Sequence, residues 1–224
     1  MLRLSRRAKG ALAASAIALA FAGHSFASQQ ASDPAGATLV TTVQGAQVAI
    51  ATFAGGCFWT MEHAFDDVPG VTVAISGYSG GQVADPSYDQ VSTGRTGHVE
   101  TVEVHYDPTK VSYAKLLDIY FHRIDPTQVG GQACDTGDEY QSKIFVHDAA
   151  QMRAAQAYSD TLAISGLFHA PIAVKIEKAG PFYAAEEEHQ HFTKKNPAYY
   201  ERYRLGCGRD RRLQQVWGAA YKAY

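Results

Sequence analysis

The segment 48–53 is a short apolar run that stops at Gly55-Gly56, and a lone cysteine, Cys57, follows at once. A run of this length closed by glycines suits a buried strand, and the glycines permit a sharp turn into whatever comes next. A helix is expected over 58–67, because Pro69-Gly70 ends it. Strands are expected at 71–76 and 99–106, separated by a glycine-rich irregular stretch over 77–97. Ser112 is a candidate N-cap, and Tyr113, Leu116, Leu117, Tyr120 and Phe121 then fall on one apolar helical face. A glycine-bearing loop at 125–140 leads to a strand at 141–147. Asp148 caps a helix that runs to about 165, and a further strand occupies 171–178. Short helices are expected near 183–192 and 197–204, with a polar tail after them. The order β-α-β-β-α-β fits an α+β fold, a ferredoxin-like split βαβ layer with additional C-terminal helices and long loops.

The start of the chain carries a separate message. Arg3, Arg6, Arg7 and Lys9 precede an apolar run over 11–22, and Ser25-Phe26-Ala27 offers small residues at the −3 and −1 positions of a cleavage site. Residues 1–27 therefore read as a secretory signal peptide, and 28–46, rich in small and polar residues, as a flexible lead-in. The catalytic domain is expected over 47–206 and a C-terminal tail over 207–224. A membrane anchor is the competing reading of the first segment, but its apolar run is shorter than the roughly 20 residues a bilayer needs. Removing four positive charges with the leader takes the net charge from −2 to −6. Such a chain has no electrostatic reason to bind nucleic acid or anionic membrane. A periplasmic or otherwise exported, monomeric protein without stable membrane insertion is expected.

Cys57, Cys134 and Cys207 are the only cysteines, and no two of them form a CxxC pair, so a zinc ribbon or thioredoxin motif is excluded. One thiol at least stays unpaired. Cys57 could be a small buried core residue. Its place after two glycines at a helix start, beside Phe58 and Trp59, favours a reactive thiol instead, because unpaired N–H groups and the helix dipole stabilise a thiolate.

Gly-Cys-Phe-Trp at 56–59, followed by Gly77-Tyr78-Ser79-Gly80-Gly81, resembles the A-type peptide methionine sulfoxide reductases. Pro86-Ser87-Tyr88, Thr96-Gly97-His98-Val99-Glu100, Asp125-Pro126-Thr127, Gly131-Gln132-Ala133-Cys134-Asp135, Tyr140-Gln141-Ser142, Ala185-Glu186 with His189-Gln190, and Lys195-Asn196-Pro197 continue the match in order over about 48–200. The resemblance implies a reduction of methionine-S-sulfoxide, protein-bound or free, by an enzyme with no bound cofactor and no metal. It uses an external thiol reductant, a thioredoxin-like protein or a dithiol. Cys57 matches the nucleophile and Glu100 the acid that protonates the sulfoxide oxygen. Tyr88 and Tyr140 match hydroxyls that hold this oxygen, and Asp135 a carboxylate that orients the site. Phe58 and Trp59 match the wall for the substrate methyl group, and Gly56 and His189 fall in the same substrate-binding set. The chain departs from the pattern at Thr60, where glycine is usual, at Gln141 for arginine, Cys134 for asparagine and His122 for tryptophan.

The chemistry agrees with this assignment. A sulfoxide oxygen leaves only once protonated, so a protonated carboxylic acid must face the nucleophile across the sulfur. The sulfenic acid left on Cys57 then needs a second thiol. Cys134 lies beside a carboxylate. Cys207 lies between Gly206 and Gly208 with Arg209 close by, and members of this family often carry resolving cysteines in the C-terminal region. A Cys57–Cys207 disulfide is therefore the expected product of one turnover, with a Cys57–Cys134 disulfide as the alternative.

Two other motifs carry no chemistry of their own. His98-Val99-Glu100 has the first part of a zinc-deaminase motif but lacks its P-C-x-x-C. The Glu-Glu-Glu-His-Gln-His run at 186–191 reads as a solvated acidic helix face. A papain-type cysteine hydrolase and a non-catalytic binding module are the alternative functions.

Overall fold

The computed structural model describes residues 40–43 and 46–222. The expected signal peptide and most of the lead-in lie outside the described residues. In chain order the elements are β1 (Val40–Val43), β2 (Ala46–Ala54), α1 (Phe58–Asp66), β3 (Val71–Ser79), α2 (Tyr88–Val91), β4 (Val99–Tyr106) and α3 (Tyr113–His122). There follow β5 (Gly131–Gln132), β6 (Asp135–Thr136), β7 (Lys143–Val146), α4 (Ala149–Ile164), β8 (Lys175–Lys178) and β9 (Phe182–Ala184). Three helices end the described chain: α5 (Phe192–Lys195), α6 (Pro197–Cys207) and α7 (Arg209–Trp217).

The central strands run β7-β2-β4-β3, each antiparallel to its neighbour, and α1 and α3 are the two crossovers. This is the expected split βαβ layer. β8 extends it in parallel beside β7, β9 pairs with β3 at the other edge, and β1 pairs with β2. No helix among the described residues is long and apolar enough to cross a membrane.

Burial explains why these segments hold together. Ala49, Ala51 and Phe53 of β2 and Val102 and Val104 of β4 are fully buried, and so are Met61 and Phe65 of α1 and Leu116, Tyr120 and Phe121 of α3. Phe53 stacks on Phe65 at 5.3 Å and on Tyr120 at 5.0 Å, which locks both crossover helices onto the same strand. Ser112 and Asp148 cap α3 and α4 through their side chains, as their residue types predict.

Three expectations need correction. Residues 182–184 form β9 rather than the start of a helix, and 187–191 are turns. Gln190 accounts for this: its side chain bonds Ser76 N and O, mimicking one more strand residue beside β3. The acidic run is therefore no helix face, and Glu186 is engaged with Tyr78 and the backbone of Tyr88. The C-terminal segment is not a loose tail. Leu213, Val216 and Trp217 share one face of α7, and Leu213 and Trp217 are buried. Trp217 stacks on His122 at 4.1 Å and donates its indole N–H to Ile124 O at 3.1 Å. Trp217→Ala is expected to cost about 3–5 kcal/mol, as for large core truncations. Urea unfolding would measure it, and a loss below about 1 kcal/mol would mean that α7 is not part of the core.

Candidate active site

Gly56 has φ +79°, a conformation that favours glycine, and a Cβ there would lie 2.5 Å from Arg209 Nη2 and 2.6 Å from Gln132 Cβ. The turn thus brings β2, α7 and the β5 segment into contact at the foot of α1. Cys57 follows as the N-cap of α1 and is 6% exposed. Its side chain makes no capping hydrogen bond. The Phe58 N–H instead donates to Glu100 Oε2 at 2.9 Å. Glu100 reaches this position from β4, whose register places it opposite Tyr78 of β3. A buried acid from the sheet therefore satisfies the helix start that the cysteine leaves open.

Burial dominates the electrostatics. Glu100 is 3% exposed, and desolvation pushes its pKa up to about 8; the Phe58 N–H opposes this, and the nearby Asp135 and Glu139 add to it. Glu100 is therefore a neutral acid at pH 7. Cys57 is pushed far up as well, first by burial and then by Glu100 and Asp135, against the opposing influence of Arg209 and Tyr203. The expectation of a resting thiolate is thus corrected: the helix start is there, but burial and two carboxyl groups outweigh it.

Asp135 projects from β6 and its Oδ2 accepts from Tyr203 Oη at 2.7 Å and Arg209 Nη2 at 3.1 Å. Arg209 also donates to Gly55 O at 2.9 Å and is 4% exposed. Neither Arg209 nor Tyr203 was singled out in the sequence as a site residue. The Leu213-Val216-Trp217 periodicity was the available signal, since it folds α7 back and turns Arg209 inward.

The aromatic residues converge as expected. His189 lies 5.2 Å from Phe58, 5.9 Å from Trp59 and 4.4 Å from Tyr88, ring centre to ring centre. Burial lowers its pKa, so it is a neutral ring. Trp59 stacks on Phe192 at 3.7 Å and meets Tyr203 edge-on. Tyr88 is set by a capping box at Ser87 and by Glu186, which takes its N–H at 2.7 Å. The Tyr88 and Tyr140 side chains act on each other, and both groups feel Glu100 and Cys57. Cys57, Glu100, Tyr88, Tyr140, Asp135, Phe58, Trp59 and His189 therefore form one constellation.

The remaining cysteines form a disulfide with each other. Cys134 and Cys207 are bonded, with Cα atoms 5.1 Å apart, and Cys57 is free. The disulfide present is thus not the Cys57–Cys207 link expected for the product of one turnover. Cys134, at the tip of the β5–β6 hairpin, is exposed, whereas Cys207 is half-buried at the junction of α6 and α7.

A family model for peptide methionine sulfoxide reductase matches residues 49–221. The chain belongs to the peptide methionine sulfoxide reductase family. It is 49% identical over 170 residues to the peptide methionine sulfoxide reductase MsrA of Bacillus subtilis, covering 76% of this chain and 96% of that one. An MsrA 2 of Staphylococcus aureus is 45% identical over 168 residues, 75% of this chain and 95% of its own. Among solved structures, methionine sulfoxide reductase A of Corynebacterium diphtheriae matches with a TM-score of 0.60 and 34% identity, over 67% of this chain and 76% of that chain. Reduced Mxr1 of Saccharomyces cerevisiae gives 0.62 and 30%, over 71% and 91%. The papain-type alternative finds no support in these matches.

The ion pair of Arg209 with Asp135 is buried on the arginine side and half-buried on the aspartate side. Arg209→Ala should destabilise the reductase fold by about 3 kcal/mol or more, because it leaves Asp135 charged and short of a partner. Urea unfolding reads this directly, and a change within about 1 kcal/mol would show that the pair carries little.

Proposed function

We propose that Cys57 performs the family's reaction in this chain, the thiol-dependent reduction of methionine-S-sulfoxide to methionine. The observation that carries the reading is a neutral carboxylic acid, Glu100, hydrogen-bonded to the residue after a buried thiol. The substrate methyl group rests on Phe58 and Trp59. Glu100 gives its proton to the sulfoxide oxygen while Tyr88 and Tyr140 donate hydrogen bonds to it. The Cys57 sulfur attacks and its proton passes to the Glu100 carboxylate. The sulfoxide and Cys57–SH become methionine and Cys57–SOH, with no net change in protons. Buried and neutral, the thiol needs no isolated thiolate at rest, because acid and nucleophile exchange one proton as a pair.

Recycling follows from the other two cysteines. The Cys207 thiol condenses with Cys57–SOH, forming a Cys57–Cys207 disulfide and releasing water. The Cys134 thiol then attacks Cys207 and frees Cys57–SH, which yields the pairing present here. The half-buried position of Cys207, two residues from Arg209, supports its acting first, and the exposure of Cys134 supports its meeting the external reductant. That reductant is a thioredoxin-like protein or a dithiol, and the substrates are oxidised proteins and small sulfoxides met by a monomeric, exported enzyme.

Cys57→Ser is expected to abolish turnover, since a hydroxyl at neutral pH is a far weaker nucleophile than a cysteine sulfur. Glu100→Gln should slow single-turnover reduction by about 10²- to 10⁴-fold. The wild-type rate should hold below pH 7 and fall as pH rises through about 8, where Glu100 loses its proton. The amide variant should lack this fall. An unchanged rate or an unchanged alkaline limb in Glu100→Gln would place the acid elsewhere.

Reduced Cys134→Ser, given one equivalent of substrate and an alkylating trap, should yield a Cys57–Cys207 peptide link by mass analysis. Persistence of Cys57–SOH in that variant would contradict the order of thiols. For export, the chain recovered from a periplasmic fraction should begin at Ser28; an intact Met1 in the cytosol would refute it.

A further inference from the structure

We propose that the reduced chain binds one thiophilic divalent cation, Zn²⁺ foremost, through Cys134, Cys207 and Asp135. The two sulfurs and a carboxylate oxygen of Asp135 lie within 4.8 Å of one another. Cys134 and Asp135 are adjacent on the β5–β6 hairpin, so one short turn presents two ligands to the third at the end of α6.

The carboxylate is already oriented. Its Oδ2 is held by Tyr203 and Arg209, and its Oδ1 lies 3.6 Å from Cys134 Sγ. Outer partners that fix one carboxylate oxygen while the other faces the ligand sulfurs are the arrangement that strengthens a metal site. Zn–S bonds of about 2.3 Å at tetrahedral angles set two thiolates about 3.8 Å apart. Cysteines with Cα atoms 5.1 Å apart reach that spacing by side-chain rotation once the disulfide is reduced. Cys134 is exposed, which gives the ion an entry path and leaves the fourth position to water. Two thiolates and a carboxylate suit zinc rather than calcium or magnesium.

Binding releases the two thiol protons, because thiolates are the ligands. The oxidant is Cys57–SOH: once the ion has left, Cys57–SOH, Cys207–SH and Cys134–SH give Cys57–SH, the disulfide and water, and the disulfide has no thiolate to rebind the ion, so cation and disulfide exclude each other. Resting on the functional reading above, the bound ion holds both recycling thiols out of the cycle. It stops repeated turnover.

The test uses reduced, oxygen-free Cys57→Ser protein, so that the third thiol and catalysis itself play no part. Titration with Co²⁺ should show one ion per chain with thiolate-to-cobalt charge-transfer absorption, and Zn²⁺ should displace it. The same chain with its disulfide formed should show none, and Cys134→Ser and Cys207→Ser should each weaken binding by at least about 10-fold. The proposal is overturned by equal binding to the disulfide form, by binding without sulfur charge transfer, or by no binding at micromolar protein. Those outcomes leave the Cys57 reaction untouched, because the titration does not depend on turnover. A separate arm with the unsubstituted reduced chain should show Zn²⁺ abolishing multiple turnover; unimpaired multiple turnover with the ion bound would contradict the assignment of the ion to the recycling pair.

Discussion

The hydrogen bond between Phe58 N–H and Glu100 ties the site to the fold. A helix must satisfy its first amides, and an N-cap cysteine with no capping contact cannot do so. A carboxyl group from β4 does it instead, which obliges that acid to be buried beside the Cys57 turn. Burial then keeps it protonated near neutral pH. Structural necessity and, in the proposed reaction, acid catalysis thus fall on one side chain, and any displacement of α1 against β4 disturbs both.

A second constraint follows from charge. Three carboxyl groups, Glu100, Asp135 and Glu139, act around one thiol and its acid, and Arg209 is the cation that opposes them. Arg209 can do so only because α7 folds back along the core through Leu213 and Trp217. The helix that carries this guanidinium is joined to the half-buried Cys207 by Gly208, whose φ of +66° makes the sharp junction between α6 and α7. The redox-active end of the chain and the electrostatic balance of the site are therefore mechanically linked.

Much of this was legible in the residues. The Gly55-Gly56 stop, the Tyr113–Phe121 apolar face and the Ser112 and Asp148 caps gave the split βαβ layer, because these signals are local. The ordered motifs placed Cys57, Glu100, Tyr88, Tyr140, Asp135 and His189 in one site. What escaped was long-range. The strand at 182–184 exists because Gln190 pairs with Ser76, 114 residues away. Arg209 looked like surface charge because its partners, Gly55 and Asp135, are 154 and 74 residues distant. The protonation of Cys57 is long-range in the same way: the helix start is visible in the sequence, whereas the depth of burial is set by every element packed around it.

The central claim is that Cys57 sulfur takes the oxygen from the substrate. A double variant, Cys134→Ser with Cys207→Ser, removes every partner thiol and halts the reaction at that step. Reacted with one equivalent of methionine sulfoxide in the presence of dimedone, it should release one methionine per chain and carry one dimedone adduct, on Cys57 by peptide mapping. Methionine release without an adduct on Cys57, or no methionine at all from a folded variant, would contradict the account.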